Sequence, residues 1–224
     1  MFEGFTPETI SFLKDLRVNN NREWFNQNKS RFQEVFQQPM KELGLEVYAE
    51  MKSAYPDYEL IHRLSRIYRD ARRVRDGQPY HVGMWFSIER PYVEETDAPV
   101  FWFDLQPESW SYGLGFYQAR PITMAKHRAR IDKDPQAFEA LISPLSNQDE
   151  FQLEGEEYKR LKEAPTKATA SWYNRKALSL GHYQANGDEL YSRDMVNRIV
   201  DGYKSLIPYY DYFLSISNDP EPGK

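Results

Sequence analysis

Residues 99–118 read Pro99-Val100-Phe101-Trp102-Phe103-Asp104-Leu105-Gln106-Pro107-Glu108-Ser109-Trp110-Ser111-Tyr112-Gly113-Leu114-Gly115-Phe116-Tyr117-Gln118. Two runs rich in aromatic residues flank the turn-prone Gln106-Pro107-Glu108-Ser109, so Pro99–Gln106 and Ser109–Gln118 are expected as strands. The link is too short to hold a crossover helix, which makes the pairing antiparallel. Within Val100–Leu105 apolar residues fall on both faces, the pattern of a central strand. Tyr80–Arg90 and Arg66–Asp70 extend the sheet, with breaks at Asp76-Gly77-Gln78-Pro79 and Arg90-Pro91. The expectation is a largely antiparallel meander over about residues 64–118, with a further strand near residues 170–179 in Ala170–Ser179.

Helical patterns surround this sheet. Phe5-Thr6-Pro7 supplies a staple residue, an N-cap hydroxyl and a proline at the first helical position, and Ile10 is placed to meet Phe5. Asn20 with Glu23 three residues later resembles a capping box for a second helix carrying Trp24, Phe25, Phe32, Val35 and Phe36. Pro39 should end or kink that helix, and Met40, Leu43, Val47 and Met51 resume the period. Pro121 and Asp134-Pro135 open two more helices. A last helical region begins at Ser192 or Asp194 and is interrupted at Pro208. The fold class is therefore α+β, one domain over residues 1–218 with a frayed tail at 219–224.

The bulk composition suits a globular chain. Of 224 residues, 40% are hydrophobic, 28% charged and 15% aromatic, which excludes a disordered protein. There is no cysteine, so disulfide scaffolds, thiol catalysis and thiolate metal sites are excluded. No leader and no apolar run of membrane-spanning length is visible, which makes the cytoplasm the expected location and a membrane partner unexpected. The net charge of −5 argues against indiscriminate nucleic-acid coating. It is unevenly spread: residues 60–81 hold six arginines against Asp70 and Asp76, leaving the acidic remainder to outweigh them.

Familiar catalytic signatures are missing. There is no GxxxxGK[ST], GxSxG or HExxH, and His62, His81, His127 and His182 are scattered without ligand spacing, so no metal is assigned. Gly113-Leu114-Gly115 lacks the third glycine of a dinucleotide fingerprint. Glu94-Glu95-Thr96-Asp97 reads as a solvated loop. Asp104 follows Phe101-Trp102-Phe103 in an expected buried strand, and its simplest partner is one of the arginines.

The segment Arg66-Ile67-Tyr68-Arg69-Asp70-Ala71-Arg72-Arg73-Val74-Arg75-Asp76-Gly77-Gln78-Pro79-Tyr80 concentrates the unusual chemistry. Arginine presents a planar fork of donors suited to carboxylate or phosphate. If the segment is extended, Arg66, Tyr68, Asp70 and Arg72 share one face, and Ile67 and Arg69 share the other. The equally weighted bland reading is a structural ion-pair network.

At these residues the chain resembles the family called domain of unknown function 2461. Asn20-Asn21-Arg22-Glu23-Trp24-Phe25 is similar to its NN-x-x-WF opening, and Arg66, Tyr68, Arg69, Asp70, Arg72, Asp76, Pro79 and Tyr80 match its RDxRFSKDKxPYK core. Ser111–Tyr117 resembles its glycine-rich hairpin. Pro121, Arg128, Ile131, Asp134-Pro135 and Phe138 follow its next helices, and Leu161–Pro165 with Lys176 follow its later motif. Arg73, Val74, Gly77 and His81 depart from the pattern. The resemblance implies a fold and a choice of residues but no reaction.

Three functional readings follow. The first is a pocket for a small anionic ligand, with Arg66, Arg69 and Arg72 holding the anion and Tyr80 and Tyr117 lining it. In this reading Asp70, Asp76 or Asp104 would serve as an acid-base group if a reaction occurs, and no cofactor is assigned. The second is a structural or protein-partner module built on the arginine network. The third and weakest is a nucleic-acid-binding module in which Trp102 or Trp110 stacks on bases.

Overall fold

The computed structural model describes residues 1–70, 72, 74–91 and 98–223; the Glu94–Asp97 segment read above as a loop, Ala71, Arg73 and Lys224 lie outside the described residues. Four helices come first: α1 (Pro7–Val18), α2 (Arg22–Gln27), α3 (Lys29–Phe32) and α4 (Gln38–Ala54). Strands β1 (Ile61–Leu64), β2 (Met84–Glu89), β3 (Pro99–Leu105) and β4 (Ser109–Phe116) follow. Then come α5 (Pro121–Lys133), α6 (Pro135–Ile142), β5 (Gln152–Glu154), α7 (Ala170–Tyr173), β6 (Ser179–Ala185), α8 (Met195–Ser205) and α9 (Ile207–Ser215). The strands form one six-stranded antiparallel sheet in the order β1-β2-β3-β4-β6-β5, and the class is α+β. No described helix is long and apolar enough to cross a membrane.

The helix starts follow local chemistry. Thr6 caps α1, with Pro7 at its first position, and Phe5 and Ile10 are both buried where the staple places them. Thr9, not a glutamate or glutamine, completes the capping box. The second helix is capped by Asn21, whose side chain accepts from the Trp24 amide at 3.0 Å, and not by Asn20 as expected. Asn20 is engaged elsewhere, as described below. Pro39 falls where one helical segment gives way to the next, as expected: α3 stops at Phe32 and α4 starts at Gln38. A π-helical turn at Gln33–Gln37 precedes α4 and leaves Pro39 in the first turn of the new segment. The ring of Pro39 and its missing N–H deprive the Val35 carbonyl of its helical partner. The buried Thr9 hydroxyl takes that role, donating to the Val35 carbonyl at 2.6 Å.

Two compact units organise the core. The first comprises residues 1–89, 102–112 and 183–202. In it Phe86 stacks on Phe103 at 5.3 Å, and Phe103 neighbours Phe5 and Trp110. Helix α4 lies against the strands through Gly44, where a β-carbon would stand 2.3 Å from His62 Nε2. The second unit comprises residues 90–101, 113–182 and 203–224. There Phe101 packs between Tyr203 and Tyr210, and Phe116 against Phe213. His127 is fully buried among Phe138 and Tyr212, with its Nδ1 3.0 Å from the Tyr212 hydroxyl.

The sheet begins earlier than expected. Ile61–Leu64 is the first strand, in register with Glu89–Phe86, and the pairing continues to Ser65 before the chain departs. Arg66–Asp70 is not a full strand. Only Ile67–Arg69 pair, with residues 79–81, through a single bridge between Tyr68 and Tyr80. A segment flanked by Arg66, Arg69 and Asp70 has no second apolar side chain to bury beside Ile67. Near the C-terminus, Ala170–Ser179 is not one strand either. Its first four residues form the turn of α7, and Asn174 stops that turn by bonding the Ala170 carbonyl and both backbone groups of Lys162. The strand starts only at Ser179.

Candidate functional site

Sequence position dictates that residues 67–81 return on themselves. Arg69 donates its amide to the Pro79 carbonyl, and His81 donates to the Ile67 carbonyl, closing the excursion between them. Its reversal uses Gly77, held at φ +73, a left-handed conformation that costs a side-chain-bearing residue strain. Ile67 and Tyr80 point inward, each 3% exposed, whereas Tyr68 is 55% exposed. Tyr80 stacks on Phe25 of α2 at 4.0 Å, and Tyr68 lies 5.3 Å from Tyr80.

Asn20 fixes this excursion to the α1–α2 connection. Its Nδ2 donates to the Tyr80 carbonyl at 3.0 Å, and its Oδ1 accepts from the Tyr80 amide at 3.1 Å. The side chain thus imitates a neighbouring strand for one residue, satisfying both polar groups of a buried backbone position. This explains the shift of the α2 cap by one position: Asn20 is committed to Tyr80, and Asn21 caps.

Between these elements lies an open cleft of about 560 Å³, lined by Asn21, Arg22, Asn26, Tyr68, Arg69, Val74, Gly77, Pro79 and Tyr80. Arg69 is held at its edge by one nitrogen alone. Nη1 donates to both Asp76 oxygens at 2.8 and 2.9 Å and to the Gln78 carbonyl at 3.0 Å. Its Nε and Nη2 make no hydrogen bond among the described residues. The Arg22 side chain makes no hydrogen bond or ion pair among them.

The electrostatics follow from these contacts. The Arg69 hydrogen bond, helped by the Gln78 amide, holds the Asp76 carboxyl below its ordinary range. Burial chiefly pushes the Tyr80 phenol up, with Tyr68 adding to the shift and the Arg22 charge opposing it. Burial lowers His81, and Arg69 lowers it further.

Of the residues singled out in the sequence, Arg69 and Tyr80 line the cleft, and Asp76 holds Arg69. Asp70 grips Arg72 instead, accepting from its Nε at 3.0 Å and its Nη2 at 2.9 Å, while the Arg72 side chain remains 88% exposed. Arg66 is exposed on the same segment, outside the lining. Tyr117, just past β4, belongs to the second unit and is 79% exposed. Among the described residues Asp104 has no arginine partner. Both of its oxygens accept from Gln106 Nε2, at 3.0 and 2.9 Å, because Asp104 and Gln106 alternate onto the same side of the chain. Trp110 is fully buried and offers no ring to a base.

Asn21, Arg22 and Asn26 were not among the expected site residues. The signal for them was the Asn19-Asn20-Asn21-Arg22 run itself, which holds more polar side chains than one helix cap requires. Among the described residues no three His, Asp or Glu side chains gather as a metal site. A family model described as conserved hypothetical protein (DUF2461) matches residues 8–212. No curated protein matches the chain significantly.

Proposed function

The chain belongs to the DUF2461 family, and on the geometry of its cleft we propose that it binds a small anionic molecule bearing a phosphate or carboxylate. One observation carries the reading. Arg69 is oriented through a single nitrogen, and among the described residues its remaining donors are unbonded and Arg22, in the same cleft, has no side-chain partner. A guanidinium held this way offers its other edge for a two-point contact with an oxyanion. The amides of Asn21 and Asn26 add neutral polar groups, and Tyr68 and Tyr80 add aromatic wall. The volume lies within the range of roughly 300–1,000 Å³ typical of small-molecule sites.

In this reading Asp76 and Asp70 act as orienting carboxylates. Arg66, Arg72 and Arg75, exposed on the same segment, raise the local positive potential that draws an anion in. The cytoplasm is the proposed location. A structural role for the network is the competing reading, favoured by the Arg72–Asp70 pair, neither residue of which lines the cleft.

Arg22 separates the two readings, because removing an unpaired exposed side chain leaves the fold untouched. Calorimetric titration with inorganic phosphate, nucleotides, sugar phosphates and dicarboxylates should reveal saturable binding, and a ligand at 100 times its Kd should stabilise the protein by about 2.7 kcal/mol. Arg22→Gln should weaken that binding by about tenfold or more without changing the melting temperature of the free protein. Absence of binding across the panel would favour the structural reading, and equal binding by the variant would remove Arg22 from the anion site.

A further inference from the structure

The first unit carries a second group of functional side chains, on the opposite face of its strands. The stacked Phe86 and Phe103 mark the core face. Alternation therefore turns Trp85 and Ser87 of β2, and Trp102 and Asp104 of β3, to the other face. Tyr183 of β6 joins them, its ring 6.2 Å from that of Trp102 at an angle of 52°. Strand β4 runs between β3 and β6, and with Trp110 and Tyr112 committed to the core it offers only Ser109 and Ser111 here. The two large rings meet over these small residues. Trp85 and Tyr183 are 44% and 55% exposed.

Asp104 stands two residues along from Trp102, about 7 Å by strand geometry. Its only hydrogen bonds come from the neutral Gln106 amide, and it forms no ion pair among the described residues. Burial raises its pKa, and the Gln106 bond opposes that shift without cancelling it. The arginine on this face, Arg63, is bound to Glu89 at 2.5 Å, and Glu89 also accepts from Ser87 Oγ at 2.8 Å. A half-desolvated carboxylate usually has a cationic neighbour; among the described residues this one has none, while the aromatic faces of Trp102 and Tyr183 lie on its side of the sheet. Those faces carry the negative lobe of the aromatic quadrupole, so rings and carboxylate attract charge of the same sign.

We propose that this face binds a small alkylammonium ion, with the Trp102 and Tyr183 rings against its alkyl groups and the Asp104 carboxylate as its counter-charge. Charge complementarity selects this occupant. Among the described residues of β1, β2 and β3, Asp104 and Glu89 against Arg63 leave this face net negative, which repels phosphates and separates it from the arginine cleft. An alkylated ammonium needs few hydrogen bonds, which suits a carboxylate already accepting two from Gln106.

The test is titration of the intact protein with choline chloride and with 3,3-dimethylbutan-1-ol, which has the same shape without the charge. Choline should bind saturably, and the alcohol should bind about tenfold more weakly or worse. Asp104→Asn and Tyr183→Leu should each weaken choline binding about tenfold while keeping the native circular dichroism spectrum, and Arg22→Gln should leave it unchanged. No binding of choline, equal binding of the alcohol, or full binding by Asp104→Asn would overturn the proposal. Tighter binding of a trimethyllysine peptide than of choline would overturn the small-molecule assignment and make the occupant a modified protein side chain.

Discussion

Replacing Asn20 by alanine removes the side chain that bonds both backbone groups of Tyr80. Tyr80 is 3% exposed and stacked on Phe25, so water does not readily replace the lost partner. Each hydrogen bond contributes about 0.5–1.5 kcal/mol net, and a buried group left unsatisfied costs about 1–3 kcal/mol, so the expected loss is about 2–3 kcal/mol. For a chain of this size that lowers the melting temperature by roughly 4–12 °C. Asn20→Asp sharpens the argument. It keeps an acceptor for the Tyr80 amide but sets a carboxylate against the Tyr80 carbonyl, so it should cost at least as much as alanine. Differential scanning calorimetry of the wild type and both variants reads this directly. If Asn20→Ala melts within about 1 °C of wild type, the amide is a surface ornament and the strand-mimic account is wrong.

Two further perturbations address the rest of the fold. Thr9→Val keeps shape but leaves the Val35 carbonyl without a donor, so it should cost about 1–3 kcal/mol in denaturant unfolding, and Pro39→Ala in the same background should recover part of that by restoring an N–H nearby. His127 is pushed down to about 3, mainly by burial and further by Arg128 and Arg130, with the Trp172 backbone opposing. A depressed histidine contributes stability above its unfolded pKa of about 6.5 and loses it as the pH falls from there toward 3. The denaturation midpoint of His127→Gln should therefore approach that of wild type as acid is added through this window, and a constant gap would show that His127 does not titrate there.

The sequence made some features legible and hid others for physical reasons. The strands around Pro107 and the cap at Thr6 are written in local chemistry: a turn between aromatic runs, and a hydroxyl before a proline. The N-cap of α2 falls one residue later than local sequence suggests, because Asn20 and Asn21 are interchangeable as caps until a segment sixty residues away claims one of them. The arginine segment was legible as a site candidate, but not the pairing within it. Arg69 goes to Asp76 and Arg72 to Asp70, a choice made by the turn at Gly77. Asp104 was expected beside an arginine and has Gln106, since two-residue alternation outranks distant charge. Arg22 is legible only as part of the polar Asn19-Asn20-Asn21-Arg22 run, since a single solvent-facing arginine looks no different in sequence from one at a cleft wall.

The single-nitrogen hold on Arg69 has an entropic side. A free arginine samples many rotamers, and immobilising such a side chain on association costs roughly 0.5–1.5 kcal/mol. Here the Asp76 carboxylate and the Gln78 carbonyl have already confined it during folding, so an incoming anion meets a guanidinium with little disorder left to lose. Asp76 is half exposed, and salt weakens such a contact. Raising the ionic strength therefore loosens the receptor as well as screening the guest, and the two effects compound.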